Sequence, residues 1–328
     1  MTARDHILRR LADGRFHSGQ QLAGALGLSR GTVWKQVQRL REDLGLSVHA
    51  IRGRGYRLAL PIELLDGERI KARLDLASRR HLDGLNLLTC TPSTNSCAKE
   101  DPPTQSGLAR VWLAEHQTAG RGRRGRGWVS AFGENLYLSL AWRFDLPMAE
   151  LAGLSLAAGV AVAEVLHRLG LDGHSLKWPN DVLFDGRKLS GILVEVAGES
   201  GGPATAVNGV GVNVRLPGGS GAQIDQPGTD LCRAGMAVSR NDLAGTLVQD
   251  LIQACRQFAR QGLEPFLARW GRFDRLPGKH VRVTRGDHAI EGVYRGISPS
   301  GGMLLENAQG CTEHHAGEVS LRRPDGGA

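Results

Sequence analysis

Residues 120–128 read GRGRRGRGW, four glycines and four arginines closed by one aromatic side chain. No packed core takes in four guanidiniums without partners, so this stretch has to be a loop, and the fold has to be built around it. Its glycines let backbone N–H groups approach a ligand closely, and its arginines present forked donors to carboxylate or phosphate. ARVWLAEHQ (109–117) precedes it and NLYLSLAWRF (135–144) follows, and both read as strands. A disordered basic tract would lack such flanks, so the stretch reads as a ligand-binding loop at the mouth of a sheet.

Charge divides the chain. Residues 1–60 hold eleven Lys/Arg against four Asp/Glu, which is most of the net +8 carried by all 328 residues. A basic head on a near-neutral body points to nucleic acid for the head and to something else for the body. In the head, DHILRRLAD (5–13) reads as a short helix with Ile7, Leu8 and Leu11 inward. Ser18 with Gln21 has capping-box spacing and opens a second helix carrying Leu22 and Leu26, which Gly27 ends. Ser29 caps a third, RGTVWKQVQRLRED, burying Val33, Val37 and Leu40 and showing Arg30, Thr32, Lys35, Gln36 and Arg39 on its other face. Trp34 is compatible with either face. LSVHAIRGRGYRLAL then makes two short strands around residues 53–55, a wing with Arg52 and Arg54 at its tip. Recognition helix plus basic wing is a winged helix-turn-helix over residues 1–63, with Arg30, Thr32, Lys35, Gln36, Arg39, Arg52 and Arg54 expected on DNA.

The body mixes strands and helices and reads as α+β with a mostly antiparallel sheet. Residues 148–169 read as one amphipathic helix and 241–261 as another; HSLKWP, VLFD, KLSGILVEVAG and TAVNGVGVNVRL read as strands. Residues 216–229, LPGGSGAQIDQPGT, read as a mobile loop. From residue 275 on, HVRVTR, AIEGVYRGI, GMLLEN and GEVSLR suggest a small β-barrel, leaving 64–274 as the central domain. The N-terminus is too charged for a signal peptide. The most apolar run, 151–166, contains Glu164 and falls short of the ~20 residues of a membrane span. Five cysteines without a CxxC pair fit reduced thiols in a cytoplasm, and His314-His315 reads as solvated surface rather than a metal site.

Neither a Walker loop nor a helix-opening GxGxxG is present. The chemistry therefore lies in scattered polar stretches. Ser93, Thr94 and Asn95 in TPSTNS donate and accept hydrogen bonds, suiting a neutral polar head such as an amide or ureido group. KWPND sets Lys177, Trp178, Asn180 and Asp181 between two strands as cation, aromatic plate, amide and carboxylate. Lys188 enters a strand, where a charge needs an anionic partner, and Asn213 stands on the apolar GVGVNV. Together with the Gly/Arg loop they read as one anion-binding active site.

EHQTAGRGRRGRGW, KWPNDV, KLSGILVEV and GVGVNV resemble the biotin protein ligases, and the added winged helix resembles the bifunctional bacterial type, the biotin operon repressors. The resemblance covers nearly the whole chain and implies a central mixed-sheet ligase domain and an SH3-like C-terminal domain. It implies that biotin and ATP, with Mg2+, give biotinyl-5′-AMP, and that biotin then passes to a lysine of the biotin carboxyl carrier protein of acetyl-CoA carboxylase. It also implies a homodimer, formed when adenylate-bound, that represses operator DNA of the biotin biosynthesis genes. By position, Ser93, Thr94, Asn95 and Gln117 should bind the ureido end of biotin. Arg121, Gly122 and Arg123 should close over biotin and adenylate, and Lys188 should contact the biotin carboxylate, with Arg121, Arg123 and Lys188 catalytic. Trp128 should border the adenine, Lys177, Asn180 and Asp181 should serve the triphosphate and its Mg2+, with Asp181 the metal ligand, and Asn213 the nucleotide. The alternative is a transcription factor that senses biotin without catalysis, and the paired Lys188 and arginine loop speak against it. A lipoate-attaching or octanoyl-transferring enzyme shares the sheet but has no use for a ureido-binding Ser-Thr-Asn.

Overall fold

The computed structural model describes residues 2–199, 201–216, 227–285, 288–315 and 318–321. The head contains α1 (Ala3–Leu11), α2 (Gly19–Leu26) and α3 (Arg30–Leu44), then β1 (Val48–Ile51) paired antiparallel with β2 (Gly55–Leu58). Local sequence sets each start: Thr2 and Ser18 form capping boxes with Asp5 and Gln21, and the Ser29 hydroxyl accepts from the Thr32 N–H. Gly27 ends α2 at a φ of 62°, where a side chain would be strained. Ile7, Leu11, Val33, Val37 and Leu40 fill the core of this unit with no exposure.

That core does not stop at residue 63. Phe132 of the body is buried in the same apolar cluster, with Ile62, Leu64 and Cys90 packed against it. A buried polar clasp holds the connection. The Arg240 guanidinium donates to the Glu63 carbonyl (2.7 Å), the Asn135 carbonyl (3.0 Å) and Glu115 Oε2 (2.8 Å), while Glu115 Oε1 accepts from the Leu65 N–H (2.6 Å). The Glu63 carboxylate accepts from the Ser239 hydroxyl and from the Arg240 N–H, each at 2.7 Å, at the start of the long helix that begins at Arg240. An ion pair this buried stabilises only if every donor and acceptor is satisfied, and here the guanidinium is served on three sides. The head is thus fixed to the body rather than tethered to it.

The body runs α4 (Gly67–Ala72), α5 (Leu76–Arg80), β3 (Leu82–Leu88), α6 (Thr94–Glu100), β4 (Ala109–Ala114), β5 (Leu136–Phe144), α7 (Leu154–Arg168), β6 (Ser175–Lys177), β7 (Asp181–Phe184), β8 (Arg187–Gly198), β9 (Ala204–Val212), α8 (Arg240–Gln261) and α9 (Glu264–Phe273). Its seven strands are ordered β3-β4-β5-β9-β8-β7-β6; β3 and β4 are parallel and every other pair is antiparallel. The sheet is mixed and mostly antiparallel, as the sequence suggests. Helices α7 and α8 cover one face, and α6 packs on β4, β5 and β9. The expected amphipathic helix at 148–169 is corrected in two ways. A separate 3₁₀ turn, Met148–Leu151, comes first, and α7 begins only after Gly153. Enclosed by the sheet, α8 and α9, α7 buries Leu154, Val160, Val162, Val165 and Leu166 around its circumference and has little polar face. The segment Met148–Arg168 is apolar enough to cross a membrane by length and composition, with a mean hydropathy of 1.7, yet it is a core helix.

The C-terminal unit is a five-stranded antiparallel sheet, β10 (His280–Arg285), β11 (His288–Ile297), β12 (Met303–Asn307), β13 (Gly310–His314) and β14 (Glu318–Leu321), ordered β13-β12-β11-β10-β14. Sequence reading misses β13 because its residues, GCTEH, are almost all exposed and polar. It also misses β3 and α9, and takes no helix at α6. Most of the Gly-rich excursion expected at 216–229 lies outside the described residues.

Candidate active site and nucleic-acid face

The pleat of β5, β9 and β8 sets the floor. Register places Tyr137 opposite Gly211 and Gly211 opposite Gly191, and one step along places Ser139 opposite Gly209 and Gly209 opposite Leu193. Glycine inside a strand marks a place where something else approaches the backbone. Here that something is identifiable: a Cβ on Gly209 would lie 2.2 Å from Asn95 Oδ1, one on Gly211 would lie 2.6 Å from the Trp128 ring, and one on Gly191 would lie 2.9 Å from both Trp128 and the Lys188 side chain. The site is a glycine floor on which Asn95 and Trp128 rest.

Two adjoining cavities open on this floor. The first is lined by Ser93, Thr94, Asn95, Gln117, Arg121 and Arg123, with Tyr137 and Lys188. Gln117 Oε1 accepts from the Thr94 N–H (2.8 Å) and hydroxyl (3.1 Å). The Ser139 hydroxyl lies 2.7 Å from Thr94 Oγ1 and 2.5 Å from Asn95 Oδ1, while Asn95 Nδ2 donates to Glu195 Oε2 at 2.9 Å. Ser93, Thr94, Asn95 and Gln117 are all buried, so the structure brings together the four polar residues that the sequence suggested for one ligand head. Tyr137 joins the lining, and Ser139 and Glu195 hold Asn95 in place; none of the three is singled out by sequence reading, although Glu195 lies within KLSGILVEV. The signal in the sequence for this wall is the pair of glycines two residues apart in GVGVNV, Gly209 and Gly211.

The Gly/Arg loop is a short hairpin. Arg121 bridges Gly127, the Gly122 N–H donates to the Arg126 carbonyl (2.7 Å), and the Trp128 N–H donates to the Gly120 carbonyl (2.9 Å). A 3₁₀ turn at Arg123–Gly125 closes it, with Arg124 at a φ of 58°. Arg121 reaches Ser96 Oγ and Glu195 Oε2, each at 3.2 Å, and Arg123 reaches Asn180 Oδ1 at 3.3 Å. Glu195 also pairs with Lys99 at 2.9 Å. Burial raises the Glu195 carboxyl, but hydrogen bonds from Asn95 and Lys99 and the Arg121 charge outweigh it and hold the group below its ordinary range.

The second cavity is lined by Arg123, Trp128, Lys177, Asn180, Asp181, Lys188 and Asn213, with Thr284 of the C-terminal sheet at its edge. Arg123, Trp128, Asn180 and Lys188 belong to both cavities. Burial pushes the Lys177 ammonium down, with Lys188 and Arg126 adding to it against Asp181; burial likewise lowers the Arg123 guanidinium, with Arg124 adding to it. Desolvated, mutually repelling cations facing a cavity are what an anionic ligand relieves. Lys188 Nζ sits 2.7 Å from Asp181 Oδ1 with both side chains mostly buried, and 5.6 Å from the centroid of the Trp128 ring. Asn213 is buried just past the end of β9, and its Nδ2 donates to the carbonyls of Lys188 (3.3 Å) and Thr229 (3.0 Å). Trp178, read as an aromatic plate, is 2% exposed, and its ring N–H donates to the Gly301 carbonyl at 3.1 Å. It fastens the C-terminal sheet to the body. His314 Nε2 lies 2.9 Å from Thr312 Oγ1, and among the described residues no group of three or more His, Cys, Asp or Glu is placed to hold a metal.

On the head, Arg30, Lys35, Arg39 and Arg52 are exposed, and none of them forms an ion pair among the described residues. Thr32 and Gln36 are half-buried, the Thr32 hydroxyl lying 2.9 Å from Ser29 Oγ. The Arg54 guanidinium sits over the Phe16 ring, 4.4 Å from its centroid. Trp34 points outward.

Comparison with known proteins matches three family profiles in chain order: an HTH domain at residues 4–57, the biotin/lipoate A/B protein ligase family at 87–213, and a biotin protein ligase C terminal domain at 278–322. The bifunctional ligase/repressor BirA of Salmonella typhimurium is 42% identical over 317 residues, which is 96% of each chain. The biotin–[acetyl-CoA-carboxylase] ligase of Mycobacterium tuberculosis is 35% identical over 78% of this chain and 98% of its own. The structure of the Aquifex aeolicus biotin protein ligase in complex with biotin and ATP is similar at a TM-score of 0.60 and 29% identity, covering 75% of this chain and all of that one.

Proposed function

Because this chain belongs to the biotin protein ligases of the bifunctional ligase/repressor type, we propose that its two joined cavities hold biotin and ATP side by side and that the residues common to both serve the reaction between them. The chain is an ATP-dependent biotin ligase and a biotin-responsive repressor. In the first half-reaction a biotin carboxylate oxygen attacks the α-phosphorus of ATP, and the bond to the β-phosphate breaks to release pyrophosphate. In the second, a lysine amine of the carrier attacks the acyl carbon and loses a proton, and AMP leaves with the electrons of the C–O bond.

Neither step needs a nucleophilic side chain; both need positioning and positive charge where anions meet. Ser93, Thr94, Asn95 and Gln117 take the ureido end, and Lys188 takes the carboxylate, exchanging its pair with Asp181 for the substrate's charge. Arg121, Gly122 and Arg123 close over the mixed anhydride and exclude water. Lys177 and Asn180 meet the phosphates, and Trp128 borders the nucleotide. Asn213 spends its N–H groups on two carbonyls, so it serves the nucleotide by holding the Lys188 strand end in place. Asp181 is the one carboxylate lining the larger cavity among the described residues. That fits a Mg2+ ion held mainly by phosphates and water, which would neutralise triphosphate charge.

Residues 1–63 form the DNA-binding unit in this reading, 64–274 the ligase and 275–328 the C-terminal unit. Operator DNA of biotin biosynthesis genes meets Arg30, Thr32, Lys35, Gln36, Arg39 and Arg52, with Arg54 released from Phe16. The acceptor is the carrier protein of acetyl-CoA carboxylase, the adenylate-bound form dimerises, and the protein works in the cytoplasm. The observation that carries the catalytic reading is the convergence of three cations: Arg123 and Lys188 line both adjoining cavities, and Lys177 joins them in the larger one. Biotin-dependent exchange of labelled pyrophosphate into ATP tests it. Exchange is expected; tight biotin binding without exchange would make the protein a sensor.

A further inference from the structure

Helix α3 buries Val33, Val37 and Leu40 completely, yet it leaves its largest side chain in water: Trp34 is 52% exposed. An indole that exposed forgoes the burial that the other apolar side chains Val33, Val37 and Leu40 gain. Its position is specific. Trp34 is the fifth residue of α3, one turn after Arg30 and next to Lys35, in the half of a recognition helix that meets base edges. Helical side chains lean toward the N-terminus, so the ring reaches toward the turn containing Gly31. Gly31 has no side chain to cover it, and only the Ser29 hydroxyl, at 3.7 Å, comes within 4 Å of where a Cβ would stand.

The surroundings select the occupant. Arg30, Lys35 and Arg39 of the same helix are exposed and form no ion pairs among the described residues, so the partner is a polyanion. A second copy of this chain would have to bring like charges together there. The polyanion must also offer an apolar group where the helix reads it, and in the major groove of DNA that group is the C5 methyl of thymine. We propose that Trp34 reads thymine methyl groups in the half-site and is a specificity-determining residue of the operator contact. This rests on the DNA-binding reading above.

The test begins with the full-length protein, biotin and MgATP, used to select duplexes from a random-sequence pool. Each thymine of the selected half-site is then replaced by deoxyuridine, which removes the methyl and nothing else. At one or two positions wild-type binding is expected to weaken about fourfold per methyl, the value for burying one such group. Trp34→Ala should lose that dependence while keeping wild-type affinity and salt slope on an unselected duplex, which reports the phosphate contacts. Trp34→Leu, still apolar, should keep part of it. Wild-type indifference to every deoxyuridine overturns the proposal, as does equal methyl dependence in Trp34→Ala. Failure to enrich any duplex removes the DNA-binding reading and the proposal with it.

Discussion

Gly209→Ala adds one methyl group to β9 and should disable the biotin cavity without unfolding the sheet. Gly209 is not among the positive-φ glycines, so alanine suits its backbone. The new Cβ would stand 2.2 Å from Asn95 Oδ1, 2.8 Å from Cγ and 2.9 Å from Nδ2, so the Asn95 side chain has to move by about an ångström to reach an ordinary contact. That breaks its contact with the Ser139 hydroxyl and its hydrogen bond to the Glu195 carboxylate, the latter charge-assisted. At about 1 kcal/mol for a neutral bond and about 2 for one to a charge, those losses lower stability by about 3 kcal/mol. The displaced Asn95 can no longer hydrogen-bond the ligand, which at about 1.5 kcal/mol weakens biotin binding roughly tenfold. Titration calorimetry with biotin measures it, and thermal melting checks the fold. Asn95→Ala removes the clash, so the double variant should bind no worse than Asn95→Ala alone, a failure of additivity diagnostic of direct contact. Biotin affinity within threefold of wild type in folded Gly209→Ala would refute the geometry of the floor.

Lys188→Met should cut pyrophosphate exchange at least a hundredfold and lower the melting temperature, because it strands the Asp181 carboxylate; adding Asp181→Asn should restore the melting temperature but not the exchange. Unimpaired exchange would remove Lys188 from the reaction. Arg123→Gly opens the loop at its turn, so adenylate should still form but escape, seen as biotinylation of a bystander protein; unchanged acceptor selectivity would count against closure by this loop. Burial pushes the His174 imidazole below its ordinary value, overcoming the Ala163 and Leu171 carbonyls that face its two nitrogens at 2.8 Å. The unfolded chain therefore takes up the proton first, so this contribution to stability is complete above about pH 6.5 and declines as the pH falls below it. Melting temperatures of His174→Gln between pH 7 and 5 should slope less than those of wild type; an identical slope would assign the acid sensitivity elsewhere.

Much of the molecule can be read from neighbours along the chain. Ser18 with Gln21, Ser29 before α3 and the period of Val33, Val37 and Leu40 act within about four residues, so head and wing are legible in order. The strands around the Gly/Arg loop follow from alternation, and the loop announces itself by what it cannot bury. Legibility ends where partners are far apart in the chain. Asn95 meets Ser139 across 44 residues and Glu195 across 100, and Arg240 meets Glu115 across 125. Ser139, Tyr137 and Glu195 sit in stretches that read as strand, and only the register of β5, β9 and β8 brings Tyr137 to the cavity and Ser139 and Glu195 to Asn95. The same holds for Trp178, committed to the C-terminal sheet, for Lys188, paired with Asp181, and for Trp34, whose face is decided by what the rest of the head packs against. Helix caps, strand alternation and loop composition are local and survive in the sequence. Which side chains converge on one point is decided by strand pairing and burial, and these exist only once the chain has closed on itself.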